Sequence, residues 1–253
     1  MRKITFIGNG NMALSIAQGL KGKYNIEVVG RDQQKLEDFE KCLEVKIDKY
    51  LLDGFDITNK NIILCTKPNN IQEISSKLKG EARYIISILA GTTLQTLKDS
   101  INAQGYIRAM PNLAASVQAS MTTFTGDIEF RDEAQIVLGS IGSTRYLSSE
   151  KEIDIATALA GSGPAYLALI AEALSDGAVK QGLKRDDAMA IMRGLFDGFG
   201  KIIQESHPSL LKDGVMSPGG TTAAGYAALE DGNVRASCIK AIEKAYQRAK
   251  ELG

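Results

Sequence analysis

The feature that most restricts this chain is a change of period part-way along it. Over roughly the first 147 residues, short β-rich runs alternate with helical stretches, and beyond Ser149 the β-rich runs stop. The β-like runs are 4–7, 26–29, 62–65, 84–88 and 106–110; between them, 12–20, 33–42, 71–78 and 94–101 carry helical spacing. Each short apolar run is ambiguous alone, but their regular alternation calls for a parallel sheet covered by helices on both faces. Runs 121–124 and 144–147, on either side of a helix-like 132–138, are expected to extend that sheet. The remainder reads as helices rich in Ala and Gly, over 164–181, 186–205, 223–229 and 233–252, with shorter pieces between. Gly161, Gly163, Ala165, Ala168 and Ala171 would let such helices approach closely. The expected fold is α/β: a parallel-rich sheet domain over 1–149, then an all-α domain over 150–253, with no flexible linker to mark the boundary.

Of 253 residues, 44% are hydrophobic and 24% charged, enough apolar material for two moderate cores. Thirty Lys and Arg offset thirty Asp and Glu, without a long run of one sign. Nucleic acid and anionic membranes are therefore not the expected partners. Cys42, Cys65 and Cys238 are odd in number, far apart and fit no metal-ligand spacing, so no metal is expected. They read as buried or half-buried thiols in a reducing compartment. Met1-Arg2-Lys3 runs straight into Ile4-Thr5-Phe6-Ile7, leaving no room for a signal peptide, and no apolar stretch reads as long enough to span a bilayer. A cytoplasmic location is the expectation.

Chemistry begins where the first β-like run ends. Gly8-Asn9-Gly10-Asn11-Met12-Ala13 follows it at once and opens a helix, which is the context that gives G-x-G-x-x-A its meaning. Gly8 permits the tight turn, Gly10 lets backbone approach a pyrophosphate, and Ala13 lets helix and strand pack closely. The free N–H groups and positive end of that helix would face the phosphates. A tight turn without a ligand is the alternative; the motif's place at the first strand of an alternating pattern favours a dinucleotide.

Gly30-Arg31-Asp32 ends the second run, where an acidic residue takes the ribose of NAD and an Arg accommodates a 2′-phosphate. Arg31 favours NADPH through its planar fork. NADH stays open, because Asp32 is free either to receive the ribose or to cap the next helix. Thr66-Lys67-Pro68, Ala90-Gly91 and Pro111-Asn112 end later runs at the same edge of the sheet. Each alone is an ordinary strand-ending turn; three in corresponding places point to one ligand cleft.

Two motifs stand out in the helical half. Gly161-Ser162-Gly163-Pro164-Ala165-Tyr166 reads as a helix start, with Ser162 or Gly163 as cap and Pro164 near the first helical position. In Ser217-Pro218-Gly219-Gly220-Thr221-Thr222, Ser217 can cap and Pro218 can start a helix. Two glycines then leave first-turn N–H groups uncovered, and two hydroxyls follow. A helix end stripped in this way suits a small carboxylate. A plain capped helix has no need of adjacent glycines, each costing about 1 kcal/mol relative to alanine.

These segments together resemble the pyrroline-5-carboxylate reductases. The resemblance rests on residues 6–13, Thr66-Lys67-Pro68, Ala90-Gly91-Thr92-Thr93 and Arg108-Ala109-Met110-Pro111-Asn112. It continues through 161–166, Asp176-Gly177-Ala178, Gly182-Leu183 and 217–222, and ends with Ala228-Leu229-Glu230, Arg235 and 248–253. It implies a Rossmann domain, a helical domain that dimerises, and active sites shared between subunits of a homo-oligomer. The implied activity is NAD(P)H-dependent reduction of the cyclic imine 1-pyrroline-5-carboxylate to L-proline, the last step of proline synthesis. Matched residue by residue, Ser217, Gly220, Thr221 and Thr222, with Gly219 in the same loop, would hold the substrate carboxylate and ring nitrogen. Glu205 aligns with a glutamate near the substrate. Thr66 replaces a more usual small apolar residue, and Leu113-Ala114 a common Thr-Pro; both departures sit near the cofactor.

Reducing a C=N bond asks little of a protein, because the carbon is already electrophilic and orientation carries much of the rate. That suits a chain whose one histidine, His207, reads as a helix-end or loop residue. Lys67, beside Pro68, reads as part of a turn whose backbone matters, and Thr222 as the donor to the ring nitrogen. Two other readings compete. A β-hydroxyacid dehydrogenase or imine reductase of similar layout would be expected to use a catalytic Lys or acid on its central helix, and 165–177 holds no Lys. A non-catalytic dinucleotide sensor would have no use for the 219–222 loop.

Overall fold

The apolar runs of the first half become strands whose alternate residues feed two separate layers. In β1 (Lys3–Ile7), Ile4 and Phe6 pack on one side with Ile16, Ala17 and Leu20, while Ile7 packs on the other with Val29, Ile62 and Leu64. All of these are buried, the larger side chains each contributing about 1.5–3 kcal/mol by leaving water. The structure is a computed structural model and describes residues 2–252. Met1, on which the signal-peptide expectation bears, and Gly253, the end of the last family-like motif, lie outside the described residues.

The further strands are β2 (Asn25–Gly30), β3 (Asp48–Leu51), β4 (Phe55–Asp56), β5 (Asn61–Leu64), β6 (Leu78–Lys79), β7 (Tyr84–Ser87), β8 (Tyr106–Met110), β9 (Ser120–Gly126) and β10 (Gly142–Tyr146). Eight of them form one sheet in the order β10-β9-β8-β7-β5-β1-β2-β3, and β4 pairs with β6 apart from it. Every pair in the large sheet is parallel except β8 with β9. From β1 the chain winds one way through β2 and β3 and the other way through β5, β7 and β8. The carboxyl ends of β1 and β5 therefore border a topological switch point, where such sheets bind ligands. The edge strand β3 was not expected: Asp-Lys-Tyr-Leu is mostly exposed and shows no apolar alternation.

Helices α1 (Asn11–Leu20), α2 (Gln33–Leu43), α3 (Ile71–Ser75), α4 (Leu94–Ser100) and α5 (Arg131–Leu138) fill the crossovers. α3 stops short of the expected residue 78 because Leu78 joins β6. Asp32 caps α2, its Oδ1 accepting from the Lys35 N–H at 3.2 Å. α6 (Glu150–Ala156) opens on a capping box between Ser149 and Glu152. α6 is tied to the sheet through Arg108 of β8, whose side chain is 3% exposed and lies 3.1 Å from Glu150 and 2.6 Å from Asp154.

One compact unit accordingly runs through Pro164 and takes in the chain from Lys244 onward; the other is Ala165–Glu243. α6 does not end before the 161–166 motif. It passes through a π-turn, Thr157–Gly161, into α7 (Gly163–Lys180), with Ser162 itself in helical conformation and its N–H bonded to the Thr157 carbonyl at 3.0 Å. Neither Ser162 nor Gly163 thus begins a separate helix. The wider turn accommodates Pro164, which has no N–H to offer and would otherwise clash with the preceding turn. Because the expected break is absent, Glu150–Lys180 forms one 31-residue helical run that is long and apolar enough to cross a membrane by length and composition, contrary to the reading from sequence.

The second unit holds most of α7 with α8 (Arg185–Ile202), α9 (Pro208–Val215), α10 (Thr221–Asp231) and the start of α11 (Val234–Leu252). Among its described residues only Ser175 and Ala188 are buried, while Leu167, Leu169, Ile191, Leu195, Phe199 and Ile239 are exposed. Cys42 and Cys238 are exposed and only Cys65 is half-buried, so the expectation of three shielded thiols holds for one. Cys42 falls on the outer face of an amphipathic surface helix, and burial pushes the Cys65 thiol well up.

Candidate active site

Gly8, Asn9, Gly10, Asn11, Met12, Arg31, Thr66 and Lys67 line one cavity of about 580 Å³ at the carboxyl ends of β1, β2 and β5. Gly8 has φ 108°, and a Cβ there would stand 2.5 Å from the Cys65 carbonyl oxygen. Only glycine fits that turn. Gly10 has ordinary extended backbone and is the N-cap of α1, yet a Cβ on it would meet nothing within 4 Å. Packing therefore does not demand glycine at position 10, and the space beside its backbone is open. No side chain caps α1, so its first-turn N–H groups stay uncovered. The Thr66 hydroxyl is buried without a hydrogen-bond partner. An uncapped helix end, an orphaned hydroxyl and two cations, Arg31 and Lys67, fit the phosphates and ribose of a dinucleotide.

Other expected contacts sit apart from that cavity's lining. Ala13 is fully buried and packs α1 against the sheet. Pro68 opens the short turn Pro68–Asn70, and Ala90 and Gly91 follow β7, with Gly91 at φ 73°. Asn112 is engaged at both ends of its amide. Its Oδ1 accepts from the Ala114 N–H at 3.1 Å, and its Nδ2 donates to the Ala160 carbonyl at 3.0 Å. Ala160 is four residues before Pro164, so this carbonyl is the one that the missing proline N–H leaves without a helical partner.

The 217–222 segment keeps its exposed N–H groups but starts its helix later than expected. The Gly220 N–H bonds the Ser217 carbonyl at 3.0 Å, closing a turn with Gly219 at φ 70°. A helix cannot run through that conformation, so Gly220 rather than Ser217 is the cap, and α10 begins at Thr221 rather than Pro218. No side chain caps α10. Thr221 and Thr222 in the first turn of α10 are exposed, and Ala223 is half-buried. Glu205 lies in the exposed turn after α8. His207 ends up as the cap of α9, Nδ1 accepting from the Ser209 N–H at 3.3 Å.

Sequence reading missed Glu73, whose Oε2 lies 3.3 Å from Arg31 Nη1, and Asn70 and Ile74, which line the cavity. All three come from the region of α3, where no motif marks them.

A cleft of this build suits a nicotinamide dinucleotide, and the chain falls among the oxidoreductases that use one. Residues 150–252 match the family model for pyrroline-5-carboxylate reductase dimerisation, and residues 3–91 that for NADP oxidoreductase, coenzyme F420-dependent. The chain belongs to the pyrroline-5-carboxylate reductase family. The Glycine max pyrroline-5-carboxylate reductase is 36% identical to it, over 98% of this chain and 94% of the relative. The structure of a pyrroline-5-carboxylate reductase from Coxiella burnetii covers 100% of this chain and 98% of its own, at 31% identity and a TM-score of 0.85. The Plasmodium falciparum pyrroline carboxylate reductase, solved with NADP bound, shares the fold at 24% identity and a TM-score of 0.81, covering 100% of both chains.

Proposed function

We propose that the protein reduces 1-pyrroline-5-carboxylate to L-proline, prefers NADPH over NADH, and works in the cytoplasm as a homodimer or larger assembly. One observation carries this reading. Among the helices whose caps are described, α1 and α10 alone have glycine at the N-cap, Gly10 and Gly220, and neither end is covered by a side chain. By contrast Asp32, Thr93, Ser149 and His207 cap α2, α4, α6 and α9 with side-chain acceptors, and α3, α5 and α8, which also lack a side-chain cap, begin behind Asn70, Phe130 and Lys184 rather than glycine. The two glycine-capped ends, where no Cβ stands in the way, suit two anions, the cofactor pyrophosphate and the substrate carboxylate.

Bound NADPH would supply a hydride to the imine carbon. The C=N electron pair moves to nitrogen, which takes up one proton from solvent over the reaction, so that hydride and proton together convert the imine to the amine. The first-turn N–H groups of α10, with Ser217, Gly219, Gly220 and Thr221, hold the carboxylate. The Thr222 hydroxyl donates to the ring nitrogen, and Glu205 stands near the substrate. Residues 1–149 serve the cofactor, Arg31 taking its 2′-phosphate, and 150–253 serve the substrate and the dimer. The match to a dimerisation model and the nearly coreless second unit support self-association.

Thr222→Ala tests the site. Loss of a hydrogen bond that strengthens as charge changes at nitrogen should lower kcat by a factor of about 5–150, equivalent to roughly 1–3 kcal/mol. The NADPH dissociation constant should not move. Near wild-type kcat would remove Thr222 from the mechanism.

A further inference from the structure

At the end of β2, the acidic residue beside Arg31 is turned to α2, where Asp32 Oδ1 accepts the capping bond from the Lys35 N–H at 3.2 Å. The carboxylate that meets Arg31 comes instead from α3, where Glu73 Oε2 lies 3.3 Å from Arg31 Nη1. Its other oxygen lies 3.5 Å from Lys77 Nζ, which in turn lies 3.1 Å from Asp53 Oδ1. Charges thus alternate along this lip. Asn70 and Ile74, on either side of Glu73 in sequence, line the same cavity as Arg31. The side chains of Arg31 and Glu73 are 57% and 47% exposed, so both remain open to an incoming ligand.

We propose that Glu73 is a cofactor-specificity residue: it holds Arg31 in competition with a 2′-phosphate and narrows the discrimination between NADPH and NADH. The proposal rests on Arg31 being the group that receives the 2′-phosphate. A phosphate arriving at that guanidinium meets a carboxylate already bonded to it. Either Arg31 leaves Glu73, or two anionic groups share one cation, and both outcomes weaken the phosphorylated cofactor. NADH brings a hydroxyl to the same place, and a carboxylate is a good acceptor for a ribose hydroxyl. Lys77 keeps Glu73 partnered if Arg31 turns away. Exposed pairs of this kind change an equilibrium by a factor of about 1.4–5.

The test is equilibrium titration of the full-length protein with NADPH and NADH by fluorescence, and with adenosine 2′-monophosphate and adenosine 5′-monophosphate by calorimetry. The variants are Glu73→Gln, Arg31→Ala and the double variant. Glu73→Gln should tighten NADPH and the 2′-monophosphate by about two- to fivefold, with NADH unchanged or weaker. Arg31→Ala should weaken NADPH selectively, and adding Glu73→Gln to it should then have less effect than in the wild type. A Glu73→Gln variant that shifts neither cofactor, or both equally, overturns the proposal while leaving Arg31 in place if Arg31→Ala remains selective. Equal losses for both cofactors in Arg31→Ala would overturn the Arg31 reading, and the proposal with it.

Discussion

Gly8 and Gly10 share a motif for different physical reasons, and alanine should separate them. At Gly8 a Cβ would stand 2.5 Å from the Cys65 carbonyl oxygen and 2.8 Å from its carbon. These are backbone atoms at the end of β5, which cannot rotate aside, and the positive φ adds strain. Strain of about 1–3 kcal/mol and overpacking of about 1–3 kcal/mol together predict a loss of about 2–6 kcal/mol for Gly8→Ala. In a chain of this length each kcal/mol is worth about 2–4 °C, so Tm should fall by about 5–20 °C. At Gly10 a methyl has free space and an allowed φ of −81°. Gly10→Ala should cost no more than about 1 kcal/mol as a poorer cap. Its methyl nevertheless projects where the backbone must approach phosphate, and NADPH affinity should fall about tenfold or more, equivalent to about 1.4 kcal/mol. Thermal melts and fluorescence titration on both variants measure the two effects. A Gly8→Ala melt within about 2 °C of wild type would refute the steric argument, and wild-type NADPH affinity in Gly10→Ala would refute the assignment of the cradle.

Asn112→Ala should lower stability by about 1–3 kcal/mol in urea unfolding, because the Ala160 carbonyl then loses its donor; an unchanged midpoint would show that the bond is not needed. Glu133 is held below the usual carboxylate range chiefly by its hydrogen bonds to Arg83. A depressed folded-state pKa gives stability that is present above the unfolded value of about 4.3 and lost as pH falls through the folded one. Glu133→Gln should therefore flatten Tm between about pH 5 and 3, and an unaltered acid slope would count against the pair. Light scattering at assay concentration should show a dimer or larger species; a fully active monomer would contradict the second unit's dependence on a partner.

What the residues reveal in advance divides along physical lines. β1 and the glycine turn after it were legible because an apolar strand, a tight turn and a helix start are all local. β3 was not, since an exposed edge strand needs only one neighbour and carries no alternation. In the 161–166 motif the types Gly, Ser and Pro suggest a helix start, yet the helix runs through. What sustains it includes a tertiary bond from Asn112, distant in sequence. In 217–222 the residue types suggest a helix start open to an anion, but the register depended on whether Pro218 opened the helix or Gly219 closed a turn first. Local preference allowed both. The composition shift at Ser149 marks where strands cease, whereas the compact units divide after Pro164, because Arg108 fastens α6 to the sheet. Glu73 had no signature at all: its meaning lies in the approach of α3 to the end of β2.

Hydride transfer from a nicotinamide to a cyclic imine can be followed atom by atom by incubating the protein with 1-pyrroline-5-carboxylate and NADPH deuterated at the transferring position of nicotinamide C4, then examining the product by NMR and mass spectrometry. L-proline should form in step with NADPH oxidation and carry deuterium on the ring carbon that had been doubly bonded to nitrogen. NADPH consumption without proline, or proline without deuterium at that carbon, would contradict the proposed reaction.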